Sequence, residues 1–220
     1  MGIEIKTVNL GFVNFYIVNT GAGFVLVDTG MPNQRKAVEN ALSDAGCTPE
    51  NLKLIVITHG DIDHTGNCAY LREKYKTKVA MHKYDSYMVE NGDMSAKRKV
   101  KSFLMRFMHK FMARSKRFHA VINSFEKFKP DMYLNEGQSL KNFGFDATVL
   151  HLPGHTKGSI GILTAENDLF AGDTINNKGW AIIVANENEL LQSAKRINGM
   201  NIRNVYQGHG RPFKMKKFKV

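Results

Sequence analysis

Thr58-His59-Gly60-Asp61-Ile62-Asp63-His64-Thr65-Gly66 is the stretch whose chemistry organises the whole chain. Two imidazoles and two carboxylates fall within six residues. The run before it, residues 52–57, is apolar and of strand length. Its continuous character reads as a strand buried on both faces. The chain turns polar at Thr58. Strand ends at the edge of an α/β sheet are where ligands bind, and a tight turn there aims several side chains at one point. A mixture of imidazole and carboxylate suits a divalent first-row metal.

Three more candidates follow, each in a glycine-flanked turn after a strand-like run. They are His155 in Pro153-Gly154-His155-Thr156, Asp173 in Ala171-Gly172-Asp173-Thr174, and His209 in Gly208-His209-Gly210. Glycine permits the tight backbone turns that such a site needs. A lone histidine after a strand is more often a surface or capping residue, and Asp63 or Asp173 alone reads equally well as a helix N-cap. The seven together, in order and at strand ends, point instead to a site for two metals with open positions.

The remaining chain has the alternation of an α/β layered domain with helices outside. Residues 15–18 and 24–27 are short apolar runs joined by a turn rich in Asn, Thr and Gly. Val38, Leu42 and Ala45 have helical spacing, with Gly46 as the stop. A helix is expected over 66–74 and a strand over 79–81. Strands are expected over 145–152, 159–164, 168–171 and 204–207. Residues 187–198 read as a helix, with Leu190, Leu191, Ala194 and Ile197 on one side. A single domain over 1–220 accounts for this pattern, broken by a mostly helical insertion over about 84–130.

The insertion contains KRKVKSFLMRFMHKFMARSKR, residues 97–117. Val100, Phe103, Leu104, Phe107, Met108, Phe111 and Met112 make one apolar stripe, and every charge in the segment is positive. Three readings stay open. The segment is a packed helix with a solvated basic face, a lid whose Phe107, Met108 and Phe111 touch substrate, or a helix for a membrane surface or a partner. Asn176 and Trp180 are further candidates for substrate contact. Net charge is +11, which attracts anions without saying which. The insertion lacks the polar and glycine-rich features of a nucleic-acid grip, so a nucleic-acid partner is disfavoured. Two cysteines, Cys47 and Cys68, make no disulfide framework. The first residues lack the pattern of a signal peptide, and no apolar run approaches a membrane span, so a cytoplasmic protein is expected. Oligomeric state is open, a dimer included.

The pattern resembles the metallo-β-lactamase superfamily, whose signature is His-x-His-x-Asp-His followed by a separate His, Asp and His. Asp28-Thr29-Gly30 resembles the family's early Asp-x-Gly turn, and the stretch from Pro153 to Ser159 its third block. The resemblance implies a four-layer αβ/βα sandwich with metals at one edge. Carried over by position, one metal would sit on His59, residue 61 and His155, the second on Asp63, His64 and His209, and Asp173 would bridge them. One position departs from the family: its second histidine is Asp61 here. Three carboxylates and a hydroxide then balance two dications, where a histidine would leave one positive charge. Such a site favours iron or manganese more than an all-histidine site does, with zinc as the other candidate.

The resemblance implies a metallo-hydrolase. Two metals lower the pKa of a shared water from about 15.7 toward 7, and the hydroxide attacks a carbonyl or phosphorus whose oxyanion the metals stabilise. Asp63 would orient the nucleophile and handle its proton. The substrate expected is a small ester, thioester, lactone or phosphoester, anionic with an apolar portion. Glyoxalase II proper needs a C-terminal helical region for glutathione, which the short stretch after His209 does not supply. The quorum-quenching lactonases resemble this chain in size but carry a tyrosine where Asn176 stands. The competing class is a di-iron redox protein related to flavodiiron cores, which carry a glutamate at the place of Asp61; it would need a separate electron donor.

Overall fold

A computed structural model of the chain describes residues 2–93, 98–100 and 114–220. In chain order the first part runs β1 (Glu4–Asn9), β2 (Asn14–Asn19), β3 (Phe24–Val27), α1 (Arg35–Asp44), β4 (Leu52–Val56), α2 (Ile62–Thr65), α3 (Cys68–Tyr75), β5 (Val79–His82) and α4 (Lys83–Asn91). It continues with β6 (Lys99–Val100), α5 (Lys116–Asn123), β7 (Met132–Leu134), β8 (Ala147–His151), β9 (Ile160–Thr164) and β10 (Leu169–Gly172). The last part is β11 (Ile175–Asn176), β12 (Gly179–Trp180), β13 (Ile183–Val184), α6 (Glu187–Gly199), β14 (Asn204–Gln207) and β15 (Phe213–Lys214).

Two sheets carry the molecule. One has the order β1-β2-β3-β4-β5-β7, the other β15-β14-β10-β9-β8. The period-two rule of a strand explains how they stack. Tyr16, Val18, Val25, Val27, Leu54 and Val56 meet Val149, Ile160, Ile162 and Phe170 between the sheets. The alternate residues Phe15, Ile17, Leu26, Ile55 and Ile57 point the other way, against Val38 and Leu42 of α1 and Leu71 and Tyr75 of α3. On the far side of the second sheet, Leu150, Leu169 and Val205 pack on Ile197 of α6. Four layers result, αβ/βα. Strands buried on both faces have no polar side, which is why they read as unbroken apolar runs.

Strand direction positions the site. β3, β4 and β5 run parallel, as do β10 and β14, and β8 shares the direction of β10 through two antiparallel pairings. Asp28, His59, His155, Asp173 and His209 each follow the C-terminal end of one of these strands. One edge of the sandwich therefore collects them all.

The structure differs from the sequence reading in places. β1 is absent from that reading because Glu4–Asn9 is an edge strand, exposed at most positions and without apolar alternation. Val100, part of the helical stripe, lies in a strand that pairs with Ile183. Phe107, Met108 and Phe111 fall outside the described residues. The basic C-terminal end is held by two side chains: Trp180 Nε1 donates to the Lys219 carbonyl at 3.0 Å, and Asn198 Nδ2 to that of Phe218 at 2.8 Å. Cys47 and Cys68 are buried free thiols, and burial pushes Cys47 up to about 12. Among the described residues no helix is long and apolar enough to cross a membrane.

His82 caps α4, its Nδ1 accepting from Tyr84 N, and its ring stacks on His151 at 4.2 Å. Burial and the neighbouring His151 lower His82 to about 4. In the unfolded chain a histidine titrates near 6.5. The stability that His82 contributes is therefore intact above about pH 6.5 and is lost as pH falls from there to about 4, where only the unfolded chain takes the proton. His82→Asn retains a capping oxygen and removes the titration. Its urea midpoint is expected to fall less steeply across this window than that of the wild type; equal slopes would exclude His82 as the cause.

Candidate metal centre

The four histidines are presented alike. His155 Nδ1 donates to the Ile183 carbonyl and His209 Nδ1 to that of Phe12, both at 2.8 Å. His64 Nδ1 meets Asp28 Oδ2 at 2.8 Å, and His59 Nδ1 meets Thr58 Oγ1 at 3.0 Å. With each Nδ1 held, each Nε2 faces the common space. An outer partner of this kind fixes both tautomer and ring orientation at a metal centre.

Asp28 has a second task. Its carboxylate accepts from Thr58 N at 2.8 Å and from the Thr58 hydroxyl, so it braces the start of the His59 turn as well as the His64 ring. It does so from a left-handed backbone, φ 64°, a conformation rare outside glycine. The His209 turn is braced from β2: Asn14 Nδ2 donates to the carbonyls of Gln207 and Gly210, and the Tyr16 hydroxyl to that of Gln207. In the His155 turn, Thr156 N donates to Ser159 Oγ at 3.0 Å.

Two triads emerge. His59, His155 and Asp173 bring one donor atom each within 4.8 Å of one another, and so do Asp63, His64 and His209. They are called here the first and the second position. Asp173 joins them: its Oδ2 is 3.0 Å from His209 Nε2 and 3.8 Å from His155 Nε2, and its Oδ1 is 3.5 Å from His64 Nε2. Asp61 stands at the first position, Oδ2 3.5 Å from His59 Nε2 and 3.2 Å from His155 Nε2. Both its oxygens also accept from Arg98, at 2.6 Å each. Asn176 and Trp180 lie elsewhere in their contacts: Asn176 Oδ1 closes a turn by accepting from Lys178 N, and the Trp180 ring packs on Phe218.

The donor atoms themselves say whether metal fits. His59 Nε2, His64 Nε2 and Asp173 Oδ1 are buried with no hydrogen-bond partner. A buried polar atom without a partner is costly, and three converging on one space are satisfied together by cations. Electrostatics agree. Burial raises Asp61, but His155, His59 and Arg98 outweigh it and hold the carboxyl well below the usual range. Burial likewise raises Asp173, and His209 and His64 outweigh it. Burial lowers His64 and His209, yet the surrounding carboxylates raise both, His209 to about 9. Such a pocket favours positive charge, whether protons on imidazole or cations in their place.

Sequence reasoning missed Asp85 and Arg98. Asp85, in the first turn of α4, accepts from Gly60 N at 2.9 Å, Thr156 Oγ1 at 2.6 Å and Gly158 N at 2.7 Å. It locks the first ligand turn to the His155 turn. Its one sequence signal is its place, just after the third parallel strand at the same sheet edge.

Gly208 shows how closely the backbone approaches. A Cβ there would sit 2.1 Å from Asp173 Oδ1 and 2.7 Å from His64 Cε1. Gly208→Ala must push both side chains, and if these hold metal it is expected to weaken metal binding at least about tenfold. Metal content after dialysis against a graded chelator measures it; wild-type retention would contradict the packing described.

Comparisons place the chain among known proteins. The profile of the metallo-beta-lactamase superfamily matches residues 8–209. A Caenorhabditis elegans beta-lactamase-like protein 2 homolog is 28% identical over 90% of this chain and 55% of its own length. The hydroxyacylglutathione hydrolase GloC of Haemophilus influenzae is 30% identical over 59% of this chain and 52% of its own. The chain thus spans about half the length of these two relatives. The crystal structure of TTHA1623 in a di-iron-bound form superposes with a TM-score of 0.69 at 26% identity, covering 96% of this chain and 94% of that one.

Proposed function

From the premise that this chain belongs to the metallo-β-lactamase superfamily, we propose that it is a metal-dependent hydrolase with a dinuclear centre. The bond cleaved is an ester, thioester, lactone or phosphoester in a small anionic substrate. The observation that carries the reading is the pair of triads, each with one buried, unpartnered Nε2 atom, His59 in one and His64 in the other, aimed at one space. His59, Asp61 and His155 would hold one metal, Asp63, His64 and His209 the other, with Asp173 between them. When bound, the metals supply Lewis acidity and a low pKa for water. The protein's own work is to orient and to exclude. Asp28 and the Ile183 and Phe12 carbonyls fix the imidazoles, and Asp63, its side chain 16% exposed, would take the proton of the attacking water. The hydroxyacylglutathione hydrolase among the relatives supports the thioester member of the set.

A panel of chromogenic esters, thioesters, lactones and phosphodiesters, run beside elemental analysis, tests the proposal. Turnover of at least one class, lost with chelator and restored by zinc, iron or manganese, is the expected result. A protein that holds metal yet hydrolyses nothing in the panel would overturn it. The di-iron-bound relative keeps a redox reading in view; a visible band that bleaches on reduction would favour that one.

A further inference from the structure

The strand that carries Arg98 to the site also braces one of its ligands. β6 pairs antiparallel with β13, Val100 opposite Ile183 and Lys99 opposite Val184. Ile183 is the residue whose carbonyl holds His155 Nδ1. Arg98 directly precedes this short ribbon, and its guanidinium grips Asp61 with two N–H donors. Nη1 also lies 3.3 Å from His155 Nε2. Only 11% of the Arg98 side chain is exposed, so solvent screens this charge little. A fixed cation thus stands among the donors of the first position. Both positions carry imidazole–carboxylate pairs, His59 and His155 with Asp61 and Asp173 at the first, His64 and His209 with Asp28, Asp63 and Asp173 at the second; among the described residues only the first adds a guanidinium.

We infer that Arg98 makes the two metal positions unequal, so that the second position fills first and tightly and the first fills in a separate, weaker step. The inference rests on the metal-centre reading proposed above. Two effects act in the same direction. The guanidinium repels an incoming dication across a few ångströms of poorly screened space. It also draws on both oxygens of Asp61, the ligand that replaces a histidine. Asp61 and Arg98 together are a neutral unit, so the site regains the charge balance that a histidine at position 61 would give it. The carboxylate therefore does not make the first position more attractive to cations. Arg98 is a positioning residue here, acting through Asp61 and through its charge.

The test is a metal titration, independent of any activity. Metal-free full-length protein is titrated with Zn²⁺ against a competing chelator and followed by calorimetry, with elemental analysis of the dialysed product. Wild type is expected to take up two equivalents in steps at least about tenfold apart. His155→Ala should remove the weak step and His209→Ala the tight one. Arg98→Met should close the gap at least about tenfold by strengthening the weak step, while Arg98→Lys, which keeps the charge, preserves most of it. Circular dichroism checks that each variant is folded. The inference is overturned if His155→Ala removes the tight step, if the gap ignores Arg98→Met, or if Arg98→Lys closes it equally. Wild type that binds no metal would sink the metal-centre reading itself; two steps indifferent to Arg98 would sink this inference alone.

Discussion

Asp63→Ala is expected to lower the hydrolytic rate at least about a hundredfold, the range for a group that handles a proton in the rate-determining step. Asp63 Oδ2 lies 3.4 Å from His209 Nε2 and 3.9 Å from His64 Nε2, so it shares the second position with both imidazoles. Its side chain is 16% exposed, enough to meet an incoming water. Ligation and proton transfer both depend on this carboxylate, and two measurements on the same protein separate them. If the variant loses metal and rate together, ligation is the larger share. If it keeps two metals and loses rate, the proton role stands alone. Asp63→Asn, which keeps shape and one acceptor oxygen, should retain more metal than Asp63→Ala and still turn over slowly. Full activity in Asp63→Ala would remove the mechanism.

Asp85→Ala is expected to destabilise the fold by about 3–5 kcal/mol, the largest stability loss foreseen here. Three donors converge on this buried carboxylate: the amides of Gly60 and Gly158 and the hydroxyl of Thr156. Each unpaired buried donor costs about 1–3 kcal/mol, partly relieved if water enters. The glycine is part of the arrangement: a Cβ at Gly158 would stand 2.6 Å from Asp85 Cγ and Oδ1. Asp85→Asn turns one acceptor into a donor facing donors, and should recover little. A drop in urea midpoint at unchanged slope is the signature to look for. The metal centre should loosen as well, because Gly60 lies between His59 and Asp61 and Thr156 follows His155. An unfolding free energy within about 0.5 kcal/mol of wild type, the range of a neutral surface change, would mean that the two turns hold without Asp85.

How much was legible in advance depended on how local the physics was. The stretch from Thr58 to Gly66 contains its own evidence, since four ligand-type side chains follow one buried strand. The turns at His155, Asp173 and His209 each carry a glycine and a strand ending, both local features. The continuous apolar strands announced an α/β layered domain, while the four-layer sandwich followed from the family resemblance. Edge strand β1 was hidden because an exposed strand needs no apolar pattern. Arg98 was hidden in a run of like charges, where nothing in its neighbourhood marks it off from Lys97 or Lys99. The bond from the Trp180 indole to the Lys219 carbonyl, far along the chain, has no local signal.

The chain's order of residues thus settled the kinds of donor atom and the strand ends that carry them, because buried-strand pattern and turn chemistry act over a few neighbouring positions. Folding in three dimensions decided which nitrogen of each imidazole faces inward, that Asp85 ties two ligand turns together, and that a guanidinium occupies the side of Asp61. Those outcomes rest on hydrogen bonds spanning tens of residues, such as Arg98 to Asp61 and Thr156 to Asp85. They exist only once the two sheets have packed and brought their strand ends to one edge.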